Sequence, residues 1–142
     1  MHMTPAYVGI ILKKDQEYFL VKRHDTDWAS GQWNFPGGLI EKGETILAAA
    51  VREAAEELNV VIQEDDLQLV HVLQVQASEI NTRDIFGFYF LATRWEGTPV
   101  NHEPHRHSDA QWFSFCQLPT DTTEHARQAV YGFMYGFLHS VN

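Results

Sequence analysis

The stretch GLIEKGETILAAAVREAAEELNV, residues 38–60, decides how the chain is read. Thr45 is a good N-cap, the residues after it are strong helix formers through Leu58, and Asn59 tolerates the left-handed backbone that closes a helix. Leu47, Ala50, Val51, Ala54 and Leu58 make the apolar stripe of that helix. Glu53, Glu56 and Glu57, spaced i, i+3, i+4, share the face beside it, so the acids border the core. Like charges at this spacing repel by a few tenths of a kcal/mol per pair, and carboxylates in the last turns meet the negative end of the helix dipole at roughly 0.3–1 kcal/mol each. Arg52, one turn before Glu56, is the local relief. The remaining cost must be offset from outside the helix. A solvated polar face is the usual outcome for a helical charge run. The alternative is a site for a divalent cation such as Mg²⁺, a hard ion that takes oxygen ligands.

Gly38, Glu44, Arg52, Glu53, Glu56, Glu57 and Val60 fall on the pattern G-x5-E-x7-R-E-U-x-E-E-x-G-U, where U is aliphatic and Ala54 serves as a small apolar residue. The stretch resembles the Nudix box of the Nudix hydrolase family. Asn59 stands where the pattern has its last glycine, and asparagine suits the same left-handed backbone. The box spans 23 of 142 residues; GQWNFPGG before it and EGTPVNHEPHRHSDAQWFSF after it resemble the flanks of MutT-like members.

The resemblance implies the Nudix α/β/α sandwich, a mixed sheet flanked by helices, and hydrolysis of a nucleoside diphosphate linked to another moiety. It implies Mg²⁺ as cofactor, with Mn²⁺ as a substitute. Glu56 and Glu57 map onto the principal metal ligands, Glu53 onto a further ligand or the base that activates water, and the Gly38 carbonyl onto an additional ligand. Glu44 and Arg52 map onto positions that pair with each other or orient the acids. Glu103, in NHEP, stands where a MutT-like enzyme can add a catalytic acid from outside the box, and is the second choice for the base after Glu53.

Arg23 can reach a substrate phosphate, since a guanidinium fits phosphate oxygens; the alternative is a surface ion pair with Asp25 or Asp27. Asn34 resembles a base-reading residue of some purine nucleotide hydrolases, the alternative being a turn asparagine. Trp33 and Phe35 read as core or pocket wall. His102, His105 and His107 lack the ligand mix of a zinc site and read as loop residues that can aid substrate binding. The stretch LQVQASEI carries neither the proline seen in some ADP-ribose hydrolases nor the tyrosine seen in some dinucleoside polyphosphate hydrolases. The expected substrate is therefore a (d)NTP or damaged purine nucleotide, giving a nucleoside monophosphate and pyrophosphate. The alternatives are an ADP-ribose or nucleotide-sugar pyrophosphatase and a non-catalytic nucleotide-sensing module.

The rest of the chain fits one globular domain over residues 1–142. A 44% hydrophobic and 13% aromatic composition argues against disorder, and a formal charge of −9 counts against a nucleic-acid polymer as partner. The apolar runs are too short for a membrane helix and the start lacks the pattern of a secretory signal, so a cytoplasmic protein, monomer or homodimer, is expected. Cys116, in FSFCQL, reads as a buried thiol. YVGIIL and EYFLVK read as a hairpin, Arg23 to Gly43 as loop with a short strand at Gln32 to Phe35, and LQLVHVLQVQA, RDIFGFYFLATRW and AQWFSF as strands. A closing helix is expected from about Thr122 to Leu138, burying Val130, Phe133, Met134 and Phe137.

Overall fold

The computed structural model describes residues 3–78 and 83–142. Strands β1 (Ala6–Lys14) and β2 (Glu17–Arg23) form the expected hairpin, closed by a turn in which Asp15 takes φ 55°. There follow β3 (Trp33–Asn34), β4 (Gly37–Leu39), helix α1 (Ile46–Leu58), β5 (Gln68–Val75), β6 (Ile85–Ala92), β7 (His107–Ser114), helix α2 (Glu124–Tyr135) and β8 (His139–Val141). The sheet runs β3-β2-β1-β6-β5-β8, with β4 on β1 and β7 on β2. It is mixed: β1 and β6 pair in parallel from Ala6↔Phe86 to Leu12↔Ala92, while β5 and β6 pair antiparallel.

Alternation along β1 buries both faces. Val8, Ile10 and Leu12 pack with Phe19, Val21 and the α1 residues Ala49, Ala50, Ala54 and Leu58. Ile11 points the other way, into a second core with Leu20, Leu73, Tyr89 and the α2 residues Ala126, Ala129 and Val130. Burying each large side chain contributes about 1.5–3 kcal/mol, so a strand apolar on both faces anchors two layers at once. The result is the α/β/α sandwich that the sequence implies.

Strand β1 also forks. Near the turn it pairs with β2, at Lys13↔Tyr18 and Lys14↔Glu17. Towards its start the same edge pairs instead with β4, at Tyr7↔Leu39, Val8↔Gly38 and Gly9↔Gly37. An Ile10 N–H to Pro36 carbonyl bond at 2.8 Å lies where the partners change. Strand β2, freed from β1, carries β3 on one edge and β7 on the other.

Helix α1 begins and ends as expected. The Thr45 hydroxyl accepts from the Ala48 N–H at 3.1 Å, and Asn59 closes the helix at φ 57°, ψ 40°. Four expectations need correction. Residues 37–39, read as loop, are strand β4, because Gly37 and Gly38 let the backbone lie flat against β1. Helix α2 stops at Tyr135, where Gly136 takes φ 76°, so Phe137 leaves the helical stripe and is exposed along with Met134, while the unexpected strand β8 follows. Strand β7 starts three residues before AQWFSF. Cys116 is exposed, since the chain turns into a short 3-10 segment at Phe115–Gln117 and carries the thiol outward. Residues 79 and 80 of LQVQASEI lie outside the described residues. No helix among the described residues is long and apolar enough to cross a membrane.

Candidate active site

The fork in β1 opens a cleft of about 810 Å³. Its floor is β4 and the acidic face of α1, with Gly37, Gly38, Arg52, Glu53, Glu56 and Glu57. One wall is aromatic: Tyr7, Phe35 and Tyr89 meet edge to face, and the Tyr7 and Tyr89 hydroxyls share a 2.7 Å hydrogen bond. The lining also includes Arg23, Trp28, Arg106, His107 and His125.

Arg52 organises the acids of α1. Its Nε donates to Glu44 Oε2 at 2.7 Å and its Nη2 to Glu44 Oε1 at 2.9 Å, a bidentate pair. The same Nη2 donates to the Leu39 carbonyl at 3.2 Å, while Nη1 reaches Glu53 Oε1 at 2.8 Å and Glu56 Oε2 at 3.2 Å. This arginine supplies the relief that the crowded carboxylates require, and hydrogen bonding to it draws Glu44 down to about 2. The Glu44–Arg52 pairing expected from the sequence is therefore present.

Glu53 and Glu57 are 8% and 5% exposed, whereas Glu56 faces solvent. Burial pushes the Glu53 carboxyl upward against the pull of Arg52. Among the described residues Glu57 makes no ion pair with an arginine; it accepts one bond from the Gly37 N–H at 3.0 Å. Burial first, and the charge of Glu53 second, push it up to about 8. A Cβ at Gly38 would fall against the Glu53 carboxylate, so a larger residue where β4 passes the helix would displace that side chain. Among the described residues no three such side chains converge at metal-ligand spacing, because Arg52 holds Glu53 and Glu56 while Glu57 turns to Gly37. Glu103 is not in the cleft wall, yet lies near enough for its charge to raise both Glu53 and Glu57.

Arg23 makes no ion pair with Asp25 or Asp27. Its Nε donates to the Trp28 carbonyl at 2.8 Å and its guanidinium lies 5.1 Å from the centre of the Trp28 ring, which itself stacks on His125 at 4.9 Å. Asn34 lines the cleft with its Oδ1 accepting from the Thr123 hydroxyl at 2.8 Å. The Thr123 N–H donates to the Trp33 carbonyl at 2.9 Å, so the start of α2 holds β3 in place. Phe35 is pocket wall and Trp33 core, buried against Phe113.

Sequence reasoning missed Tyr7, Trp28, Tyr89, Arg106, Thr123 and His125, whose roles as wall depend on strands and loops far apart in the chain. It placed His107 in a loop. The residue instead opens β7, 4% exposed, with its Nδ1 buried and without a hydrogen-bond partner. Burial, then the charges of Arg23 and Arg106, push this imidazole down to about 4, so it is neutral at pH 7.

A family model described as the NUDIX domain matches residues 3–133. The 8-oxo-dGTP diphosphatase of Escherichia coli strain K12 is 32% identical over 123 residues, covering 87% of this chain and 89% of the relative. The ADP-ribose pyrophosphatase of Methanocaldococcus jannaschii is 39% identical over 61 residues, 43% of this chain and 35% of the relative. Among solved structures, a MutT NUDIX hydrolase from Burkholderia pseudomallei has a TM-score of 0.84 at 27% identity, over 92% of this chain and 98% of that one.

Proposed function

The chain belongs to the Nudix hydrolase family and is a pyrophosphohydrolase, and from that premise we propose that its substrate is a nucleoside triphosphate, foremost an oxidised purine dNTP. The observation that carries this reading is one cleft holding the helical glutamates, Arg23 and the amide of Asn34 together. A carboxylate floor suits the phosphate end of such a molecule only with a cation present, and an amide on the wall can both donate to and accept from a base edge.

The group that fits the floor is a hard divalent cation, Mg²⁺ or in its place Mn²⁺. The donors are carboxylates and a backbone carbonyl, with no sulfur or nitrogen, and the buried Glu57 has a single hydrogen bond to offset its charge. Glu56, Glu57, Glu53 and the Gly38 carbonyl would hold it, Glu53 and Glu56 giving up contacts with Arg52. When bound, such an ion neutralises phosphate charge and lowers the pKa of water. Glu53, or Glu103 from outside the helix, takes the proton of the attacking water. Arg23 orients the phosphates, and Asn34, braced by Thr123, reads the base. Water adds to phosphorus, the bridging P–O bond breaks, and a nucleoside monophosphate and pyrophosphate leave. Glu44 and Arg52 position the acids.

The relative named as an 8-oxo-dGTP diphosphatase spans most of the chain, whereas the ADP-ribose pyrophosphatase spans less than half, which supports a triphosphate over ADP-ribose. The test is a panel of oxidised dGTP, the ordinary dNTPs, CTP and ADP-ribose, assayed for pyrophosphate and phosphate with Mg²⁺, with Mn²⁺ and with chelator. Metal-dependent release of pyrophosphate from oxidised dGTP at the highest kcat/KM is expected. Preference for ADP-ribose, or turnover that survives chelation, rejects the reading.

A further inference from the structure

Two arginines, Arg23 and Arg106, line the cleft close enough for the charge of one to act on the other. Among the described residues neither Arg23 nor Arg106 forms an ion pair. Arg23 is fixed through its Nε and the Trp28 ring, which leaves both Nη atoms without a partner among the described residues. Arg106 is fixed through its backbone: its carbonyl accepts from the His24 N–H at 2.8 Å and its N–H donates to the Glu103 carbonyl at 2.9 Å. Its side chain is uncommitted and lines the cleft.

His107 lines the same cleft. It pairs with Arg23 across β2 and β7 where the register shifts at Lys22/Arg23, an irregularity that re-aims side chains. The ring is nine-tenths buried, and its Nδ1 has no partner. Like charges at close range repel: Arg106 acts on Arg23, both act on the His107 ring, and Glu57 offsets them in part from the floor. An anion between the two guanidinium groups reverses the sign of that interaction and supplies acceptors for their free N–H groups.

We propose that Arg23 and Arg106, with His107 beside them, form an oxyanion seat. It takes the terminal phosphate, which a nucleoside triphosphate has and a diphosphate lacks, and so favours the triphosphate. Arg106 is the residue this adds to substrate recognition, and His107 is a positioning residue. The selectivity rests on the nucleotide reading of the cleft; the seat itself does not.

Inorganic pyrophosphate is the probe. Calorimetry on the full chain at saturating Mg²⁺ should show pyrophosphate binding that weakens roughly tenfold or more in R106A and equally in R106Q, an exposed position where neither change threatens folding. In kinetics, R106A should raise KM for the triphosphate by a similar factor, leave kcat within about twofold, and leave KM for the matching diphosphate unchanged. No pyrophosphate binding to the unaltered chain, unchanged binding in both variants, or equal KM increases for di- and triphosphate would overturn the proposal. If binding depends on Arg106 while no triphosphate in the panel is hydrolysed, the substrate reading falls and the anion seat stands.

Discussion

Glu44 grips Arg52 through both carboxylate oxygens, at 2.7 and 2.9 Å, eight residues ahead of it in the chain. The loop before α1 thereby sets the guanidinium that in turn sets Glu53 and Glu56. In E44Q one charge-assisted bond of the fork is lost and the arginine loses its fixed plane. We expect kcat to fall about threefold to thirtyfold, with KM little changed. The Glu44 carboxyl lies at about 2 against an ordinary 4.5, so its stabilisation is complete above pH 4.5 and is lost as pH falls through 2. The Tm gap between unaltered chain and E44Q should therefore be widest above pH 4.5 and close towards pH 2, which a pH series of thermal melts measures.

Glu57 behaves in the opposite sense. Unfolded, its carboxyl releases its proton near 4.5; folded without a cation, it keeps the proton up to about 8. That difference stabilises the fold below pH 4.5 and is lost as pH rises through 8. In chelator, Tm should fall between these limits, and E57Q should flatten the fall and melt higher than the unaltered chain at pH 8. Adding Mg²⁺ at pH 7 should release a proton, read as a dependence of the calorimetric enthalpy on buffer ionisation in the unaltered chain and absent in E57Q.

Two carboxylates compete for the role of base. E53Q and E103Q each remove one without changing its volume, and the base should cost about 10²–10⁴ in kcat. The larger loss is expected at Glu53, which lines the cleft, whereas Glu103 acts from beside it. Single-turnover rates settle the assignment: whichever variant turns over at a near-normal rate is not the base.

Asn34 and Thr123 are 89 residues apart and joined by a 2.8 Å hydrogen bond. If the amide reads the base, N34A should raise KM about tenfold for the preferred purine nucleotide and much less for CTP. T123S keeps the hydroxyl that both braces Asn34 and caps α2 through the Ala126 N–H, and should retain the preference. Equal KM changes across bases would assign Asn34 to local structure instead.

Features set by short spacings were legible in the sequence. Thr45, the acidic face, Arg52 and Asn59 are read from neighbours within one or two turns, and the structure reproduces the limits of α1. The β1–β2 hairpin was equally readable, whereas the pairing of Glu44 with Arg52 was one of two roles that the family resemblance implied. Strand β4 was not, because its three residues carry no alternation and exist as a strand only through the edge that β1 offers. The aromatic wall was hidden for a related reason. Tyr7 and Tyr89 look like ordinary strand aromatics until parallel pairing of β1 with β6 brings them together. His107 was misplaced because HEPHRHS reads as polar loop, and only its pairing with Arg23 draws it inside. The Phe137 stripe failed at Gly136, a stop signal that helical spacing alone does not register.

The divided edge of β1 has a mechanical consequence. Because the gap between its two partners is written into main-chain hydrogen bonds, its width is set by the backbone and not by side chains. A guest entering it gives up its own freedom but demands little reshaping of its host. Selectivity in such a notch is in part a matter of fit, so altering the span of that one strand would retune what enters.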